Sequence, residues 1–458
     1  MTTTYSLAQG QSLFNKLSIN LDNVPIEQLA DYTAIEYYLT VADEPPSSAT
    51  NLEKVNHYLE SFHHFCEVQH WLGAGEILFI PLPSTQQELC NQLATWGYYR
   101  EQIELYKRLL GKFDSNIEVL FLNGLGNSYI ALGDYHNAIE CHQRNLEIAQ
   151  ANHDSQAEIK ALINLGQAYY FVRDYSKAIE NCEQSLFLAD KHQDTHGVGV
   201  ALTNLGLISS AIGEFKQAIH YYKVALAIAK SEEDREGEAN LLGNLAVTYG
   251  ILRNYAKTIE YSQQQLAIAQ EIDFHKGKGN ALGNLGNIYA ALGDYTKAIE
   301  YHRQQLELSK EIGNRQGEGN ALGNLGNAYD GLKDYRRAED CYRQQLKILR
   351  EIGDPRGKAN ALGNLGTTLF QLQQYSESLN CLNESLEIFR NIPAPVEEWQ
   401  TLANLGQFYM ELKDYAKASE CYESSLMVIR KIQDHEAEKE ITERLKKVLR
   451  LSLSLASA

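Results

Sequence analysis

A pattern of 40 residues recurs through most of this chain of 458 residues, and it constrains the fold more than any other feature. The tripeptide Asn-Leu-Gly returns at Asn164, Asn204, Asn284, Asn324, Asn364 and Asn404, and as Asn-Leu-Ala at Asn244. Each step is 40 residues or a multiple of it. Eight units tile residues 121–440 without insertion, starting at Phe121, Ala161, Ala201, Leu241, Ala281, Ala321, Ala361 and Thr401. Length alone would suggest three globular domains at about 150 residues each. Self-similarity at a fixed period overrides that prior, because it marks units that bury their apolar faces only by stacking.

Within each unit two apolar patterns of helical period are separated by a short break. One break reads Leu-Gly-Asp-Tyr at Leu132–Tyr135 and Leu292–Tyr295, and the other reads Glu-Ile-Gly-Asn-Arg at Glu311–Arg315. Gly followed by Asn or Asp supplies a C-cap and then an N-cap. Each unit is therefore a hairpin of two helices, A and B, of roughly 16–18 residues. Counting from the unit starts, position 6 is Gly126, Gly166, Gly206, Ala246, Gly286, Gly326, Gly366 and Gly406. A mid-helix Gly costs up to about 1 kcal/mol relative to Ala, so a neighbouring helix is expected to approach closely there. Position 15 is always aromatic, from Tyr135 to Tyr415, and position 18 is small, from Ala138 to Ala418. Large residues facing small ones at fixed spacing are knobs meeting holes. The expected fold is all-α, a right-handed superhelical solenoid of helix hairpins.

These motifs resemble the tetratricopeptide repeat: Leu-Gly-x-x-Tyr in helix A, and Tyr followed by Ala in helix B, over all of 121–440. The period exceeds the family's usual 34 residues. The late Ala of helix B is replaced by Gln265, Gln305 and Gln345, and the closing Pro is missing at Gln270, Lys310 and Arg350. This longer form is similar to the spindle-orientation adaptors of the LGN/Pins type and, less closely, to kinesin light chains. The resemblance implies an extended peptide bound in a concave groove. The array with its N-terminal segment also resembles repeat proteins of filamentous cyanobacteria, some fused to catalytic domains. No such domain is visible here, so no catalytic residue is carried over and no enzyme activity is expected.

The ends depart from the pattern. Residues 441–458 read as a capping helix and tail, with Arg444, Lys446, Lys447 and Arg450 making that end basic. Residues 51–120 read as degenerate hairpins, with Trp71 and Ala74 in the aromatic and small positions of one, and Trp96–Leu110 as the turn and helix B of another. Residues 1–50 read as a partly disordered segment with one helix near Ile26–Val41 and an acidic Pro/Ser linker at Ala42–Ala49.

Charge narrows the partners. Lys plus Arg is 41 and Asp plus Glu is 59, a net charge of −18. That balance argues against nucleic acid and against broad contact with anionic membranes. No apolar run approaches the ~18–20 residues that cross a bilayer, and no secretory signal opens the chain. Seven cysteines without a Cys-x-x-Cys pair suit neither a disulfide framework nor a zinc ribbon, so a reducing, cytoplasmic setting is expected.

The strongest functional signal is a polar ladder on helix A. Position 4 carries Asn164, Asn204, Asn244, Asn284, Asn324, Asn364 and Asn404. Position 7 carries Asn127, Asn287 and Asn327, with Gln167 and Gln407, and position 40 carries Asn240, Asn280, Asn320 and Asn360. Spacings of three and four place them on one helical face. A carboxamide pairs with both polar groups of a peptide unit, and Gly243, Gly283, Gly323 and Gly363 at position 3 would let another backbone approach. In the LGN/Pins and co-chaperone families, Asn at the matching places contacts ligand backbone. Those families' Arg or Lys on this face is absent from the central units, which counts against a preference for acidic peptides. The rival reading is that these amides bond neighbouring helices inside the array.

Other constellations are weaker. His63, Cys66 and His70 fall at i, i+3 and i+7, a spacing that could hold zinc on one helix or simply pack. Cys141, Cys341, Cys381 and Cys421 share position 21 and read as buried fillers. Gly279–Gly286 imitates a phosphate loop but lies inside helix A with no preceding strand, so no nucleotide or other cofactor is expected. Tyr170, Phe370 and Met410, at position 10, are either ligand pockets or packing between repeats. The favoured function is a non-enzymatic scaffold that holds an extended peptide or partner segment. A peptide-sensing regulator and a self-assembling homo-oligomer are the alternatives.

Overall fold

The computed structural model describes residues 3–41, 49–82, 85–392 and 394–456. Among them every regular element is helical, apart from one isolated bridge between Pro81 and Glu88. The chain forms two compact units, Met1–Gly277 and Lys278–Ala458.

Hairpins one to four pair Ser115–Leu132 with Tyr135–Ala151, Ser155–Phe171 with Tyr175–Lys191, Thr195–Ala211 with Phe215–Ser231, and Arg235–Ile251 with Tyr255–Glu271. Hairpin five joins His275–Ala291 to Tyr295–Glu311. Hairpins six to eight pair Arg315–Gly331 with Tyr335–Ile352, Pro355–Gln371 with Tyr375–Asn391, and Pro395–Glu411 with Tyr415–Ile432.

The turn chemistry explains these boundaries. Asp134, Asp174, Asn254, Asp294, Asp334 and Asp414 each accept the backbone N–H three residues on at the start of a helix B. Asp154, Asp194, Asp234, Asn314 and Asp354 do the same for helices A. Each such cap contributes about 1 kcal/mol. The residue before the cap is left-handed even where it is not glycine: φ is 78° at Gly133, 63° at Arg173 and 61° at Lys333.

The small residue at position 6 makes room for one partner, position 22 on helix B of the same hairpin. A Cβ on Gly206 would lie 2.5 Å from the Tyr222 ring, and one on Gly126 would lie 2.5 Å from the His142 ring. The same holds for Gly326 with Tyr342 and Gly406 with Tyr422. Burying a tyrosine removes roughly 150–250 Å² from water, worth on the order of 4 kcal/mol, which outweighs the ~1 kcal/mol helical cost of glycine. In hairpin four, where position 6 is Ala246, position 22 shrinks to Ser262.

Position 3 is set by the same seam. The position-3 glycines were expected to open the helix to a ligand, but Gly243, Gly283 and Gly323 are buried. Added Cβ atoms there would meet the side-chain amides of Gln265, Gln305 and Gln345 at 2.6, 2.9 and 2.6 Å. The glutamines that displace the family's late Ala are thus matched by glycines on the facing helix.

Successive hairpins are joined by position 15. Tyr135 stacks on Phe171 at 5.4 Å, and Tyr375 lies edge-on to Phe408 at 6.4 Å. Position 18 is fully buried at Ala138, Ala178, Ala218, Ala298, Ala338 and Ala418.

The last helix runs His435–Ala456 and so begins earlier than residue 441, because Asp434 caps it by accepting from the Ala437 N–H. Its Ala437, Ile441 and Val448 pack into the core of hairpin eight. At the other end the degenerate region holds Asn56–Glu67, Trp71–Leu78, Leu89–Trp96 and Tyr99–Leu109. Its turn before Tyr99 uses Gly97 at φ 87°. The expected helix near Ile26 is a 3-10 turn followed by Leu29–Thr40. The linker at Ala42–Ala49 lies, except for Ala49, outside the described residues.

Candidate functional site

Within each unit, helices A line one side of the array. Besides its own helix B, helix A of hairpin two packs on helix A of hairpin three, and three on four. In the second unit, six packs on seven and seven on eight in the same way. No comparable contact joins successive helices B among the described residues, so within each unit these helices A lie closer to one another than the helices B do.

The amide ladder lies on this side, and its members differ. Asn240, Asn280, Asn320 and Asn360 are exposed, as are Asn127, Asn287, Asn327, Asn364 and Asn404. Asn164, Asn244, Asn284 and Asn324 are half-buried, and Asn204 is buried at 4% exposure.

Some rungs bond the next repeat. Asn164 donates to Asn123 Oδ1 at 2.6 Å, Gln167 donates to Asn204 Oδ1 at 3.3 Å, and Asn364 donates to Asn327 Oδ1 at 3.4 Å. Asn327 also accepts from the Tyr342 hydroxyl at 2.7 Å, and Gln407 from the Tyr422 hydroxyl at 3.4 Å. The rival reading thus describes these positions. By contrast, the side chains of Asn244, Asn284 and Asn324 have no hydrogen-bond partner among the described residues. For Asn244 the reason is local: the preceding position 7 is Leu207, where Asn204 has Gln167.

Position 10 divides similarly. Phe370 lies edge-on to Phe408 at 5.3 Å and tilted against Tyr375, and Met410 packs beside the core of hairpin eight. Tyr170 is likewise tilted against Tyr175, at 6.2 Å, but also lines a cavity of about 280 Å³ among helices A of hairpins one to three, together with Ile130, Phe171, Asn204, Leu207 and Ile208. In hairpin six, position 10 is Asp330, the one charged residue at this position, and the repeat pattern did not single it out. It is half-buried, accepts from the Thr368 hydroxyl at 3.1 Å, and burial raises its carboxyl above the usual range. Its break with the apolar or small residues elsewhere at position 10 was the available signal.

The weaker constellations resolve into structure. His70 leaves the helix that carries His63 and Cys66, because that helix ends at Glu67; its Nδ1 caps the next helix by accepting from the Gly73 N–H at 3.0 Å. His63 Nδ1 pairs with Arg108 at 3.0 Å and His64 Nδ1 with Asp31 at 2.8 Å. Among the described residues no group of three or more His, Cys, Asp or Glu is placed to hold a metal. Burial pushes the thiols of Cys141, Cys341, Cys381 and Cys421 up to about 11, which suits fillers and not nucleophiles. Residues 279–286 are helical throughout. No helix among the described residues is long and apolar enough to cross a membrane.

Three models of the tetratricopeptide repeat match the chain. One covers residues 117–191, 237–311, 278–351 and 317–391, a second covers 201–236, and a third covers 400–431. No curated protein sequence matches. Among solved structures, the chain is similar to a Rap protein complexed with competence and sporulation factor, at 14% identity over 74% of this chain and 99% of that one, with a TM-score of 0.48. It is similar to BtubC from P. vanneervenii at 21% identity over 48% and 90%, with a TM-score of 0.41. A STAND signal-transduction ATPase with a tetratricopeptide repeat sensor from Pyrococcus horikoshii matches at 17% identity over 83% and 63%, with a TM-score of 0.48. The first model alone matches half of the sequence, and the chain belongs to the tetratricopeptide repeat family.

Proposed function

We propose that the chain is a non-enzymatic protein-interaction scaffold whose units each hold an extended peptide or partner segment along the A side of their own hairpins. The observation that carries this reading is the set of unpartnered amides at Asn244, Asn284 and Asn324. Asparagine is a mediocre helix former, and these copies gain no bond within the protein in return. A peptide backbone supplies both a carbonyl and an N–H to each carboxamide. Exposed Asn240 in the first unit, and Asn280, Asn287 and Asn360 in the second, extend the same chemistry. Within the family, this reading places the array with the longer, LGN/Pins-like repeats, and gives the helices before residue 120 and after 440 the role of covering the open ends of the array.

The test is selection from a random-peptide display library by the full chain and by the N244A/N284A/N324A/N364A variant. Peptides enriched by the wild type and lost on a variant with an unchanged circular-dichroism melt support the reading. Equal enrichment on a folded variant overturns it and moves the binding surface elsewhere.

A further inference from the structure

The geometry points to a side-chain anchor in the first unit. The cavity among helices A of hairpins one to three receives one bulky apolar side chain of an extended peptide, and the carbonyl oxygen beside that side chain accepts from Asn204. This inference rests on the A-side reading and names what one part of that face selects.

Volume and chemistry agree on the occupant. The cavity measures about 280 Å³. An apolar cavity of about 150 Å³ already admits benzene, so this one has room for a leucine or phenylalanine side chain with its peptide group. Ile130, Tyr170, Phe171, Leu207 and Ile208 form its apolar walls, Asn127, Gln167 and Asn204 add amides, and no charged side chain lines it. A charged ligand group would therefore lose hydration without an opposite charge to pair with. The walls are held in place before any ligand arrives, since Phe171 stacks on Tyr135 at 5.4 Å and Tyr170 lies edge-on to Phe171 at 5.3 Å. Preformed walls lower the ordering cost of binding.

Asn204 supplies the polar half. It is 4% exposed, and its oxygen is engaged by Gln167. Its Nδ2 is buried without a hydrogen-bond partner. A buried donor left unpaired carries a desolvation penalty that an incoming carbonyl relieves. Asn204 lines the cavity, and the χ2 torsion of an amide is soft, so rotation about it brings Nδ2 to a ligand carbonyl there. In hairpin seven the position-10 side chain, Phe370, packs edge-on to Phe408 of hairpin eight.

The test uses N-acetyl-leucine N-methylamide as probe and N-acetyl-glycine N-methylamide as control, titrated into the full chain with labelled Ile and Leu methyl groups. Saturable shifts are expected at Ile130, Leu207 and Ile208, with the glycine compound weaker by roughly tenfold or more. Asn204→Leu should weaken the leucine probe roughly two- to tenfold. Leu207→Trp, which fills the space from a half-exposed position, should abolish the shifts at Ile130 and Ile208 and serves as the second variant should Asn204→Leu unfold the region. Absence of saturable shifts at these methyls, equal binding of the two compounds, or indifference to Leu207→Trp would overturn the proposal. The probe reads the cavity alone and the display library reads the whole A side, so each can fail without the other.

Discussion

The seam inside each hairpin and the polar face of helix A are built from the same helices, yet they obey different rules. In the seam departures are matched in size across the interface, although Gln265 Oε1 and Ser262 Oγ are buried there without a hydrogen-bond partner. Tyr222 lies over Gly206 and Gln265 over Gly243, and in hairpin four, where position 6 is Ala246, position 22 is Ser262. On the face, compensation stops. Asn204 has Gln167 one repeat before it, whereas Asn244 follows Leu207 and is left unpaired. A seam that adjusts residue by residue is under the demand of close packing. A face whose amides are half-exposed, as at Asn244, is free of that demand, because water can meet its polar atoms.

The largest break in this contrast should come from acid. His142 and His302 occupy position 22 of the seam at 0% and 1% exposure, and burial lowers each imidazole from 6.5 to about 4. The folded state therefore binds fewer protons than the unfolded state between these values. Stability is full above pH 6.5 and falls as pH drops through that window toward 4. The loss is on the order of 3 kcal/mol per histidine at the acid end. The H142Y/H302Y variant copies the tyrosine of other hairpins and places its hydroxyl near Asn127 and Asn287. Its melting temperature should fall less between pH 7 and pH 5 than that of the wild type. An equal fall in both proteins would mean that other groups govern the acid response.

Overpacking comes next. Gly206→Ala forces a Cβ against the Tyr222 ring and should cost about 1–3 kcal/mol. In the G206A/Y222S double variant, which copies hairpin four, the two effects should be less than additive by about 1 kcal/mol or more. Additive urea midpoints would show that the two positions do not share the seam.

The face should give the smallest effects on stability. Asn204→Ala removes the bond from Gln167 and should cost about 1 kcal/mol. Asn244→Ala should stay within about 0.5 kcal/mol of wild type, since it loses no bond and gains helix propensity. Comparable losses at both sites, measured by chemical denaturation, would erase the distinction drawn between them.

Much of this architecture is legible in the chain. The 40-residue period, the Asp and Asn caps and the small-against-aromatic positions place the hairpins, because turn chemistry and helical period act locally. The face carrying the amide ladder follows from spacing alone. The pairing of position 6 with 22 and of 3 with 25 is visible as covariation among repeats, but its meaning is not. Gly243 beside an asparagine reads as an opening for a ligand until Gln265 is seen to fill it. Position 10 shows the same limit. Tyr170 and Phe370 are alike in the sequence, and one borders a cavity while the other is covered by Phe408.

The sequence by itself determined the helices, their ends, their order and the side on which the amides stand. Only the tertiary structure decided which amides are already bonded, which glycines serve the interior and where a cavity remains. Periodicity and capping are carried by residues within a few positions of one another. Whether a donor is satisfied or a space is filled depends on atoms roughly 40 residues away, brought together only when one hairpin packs on the next.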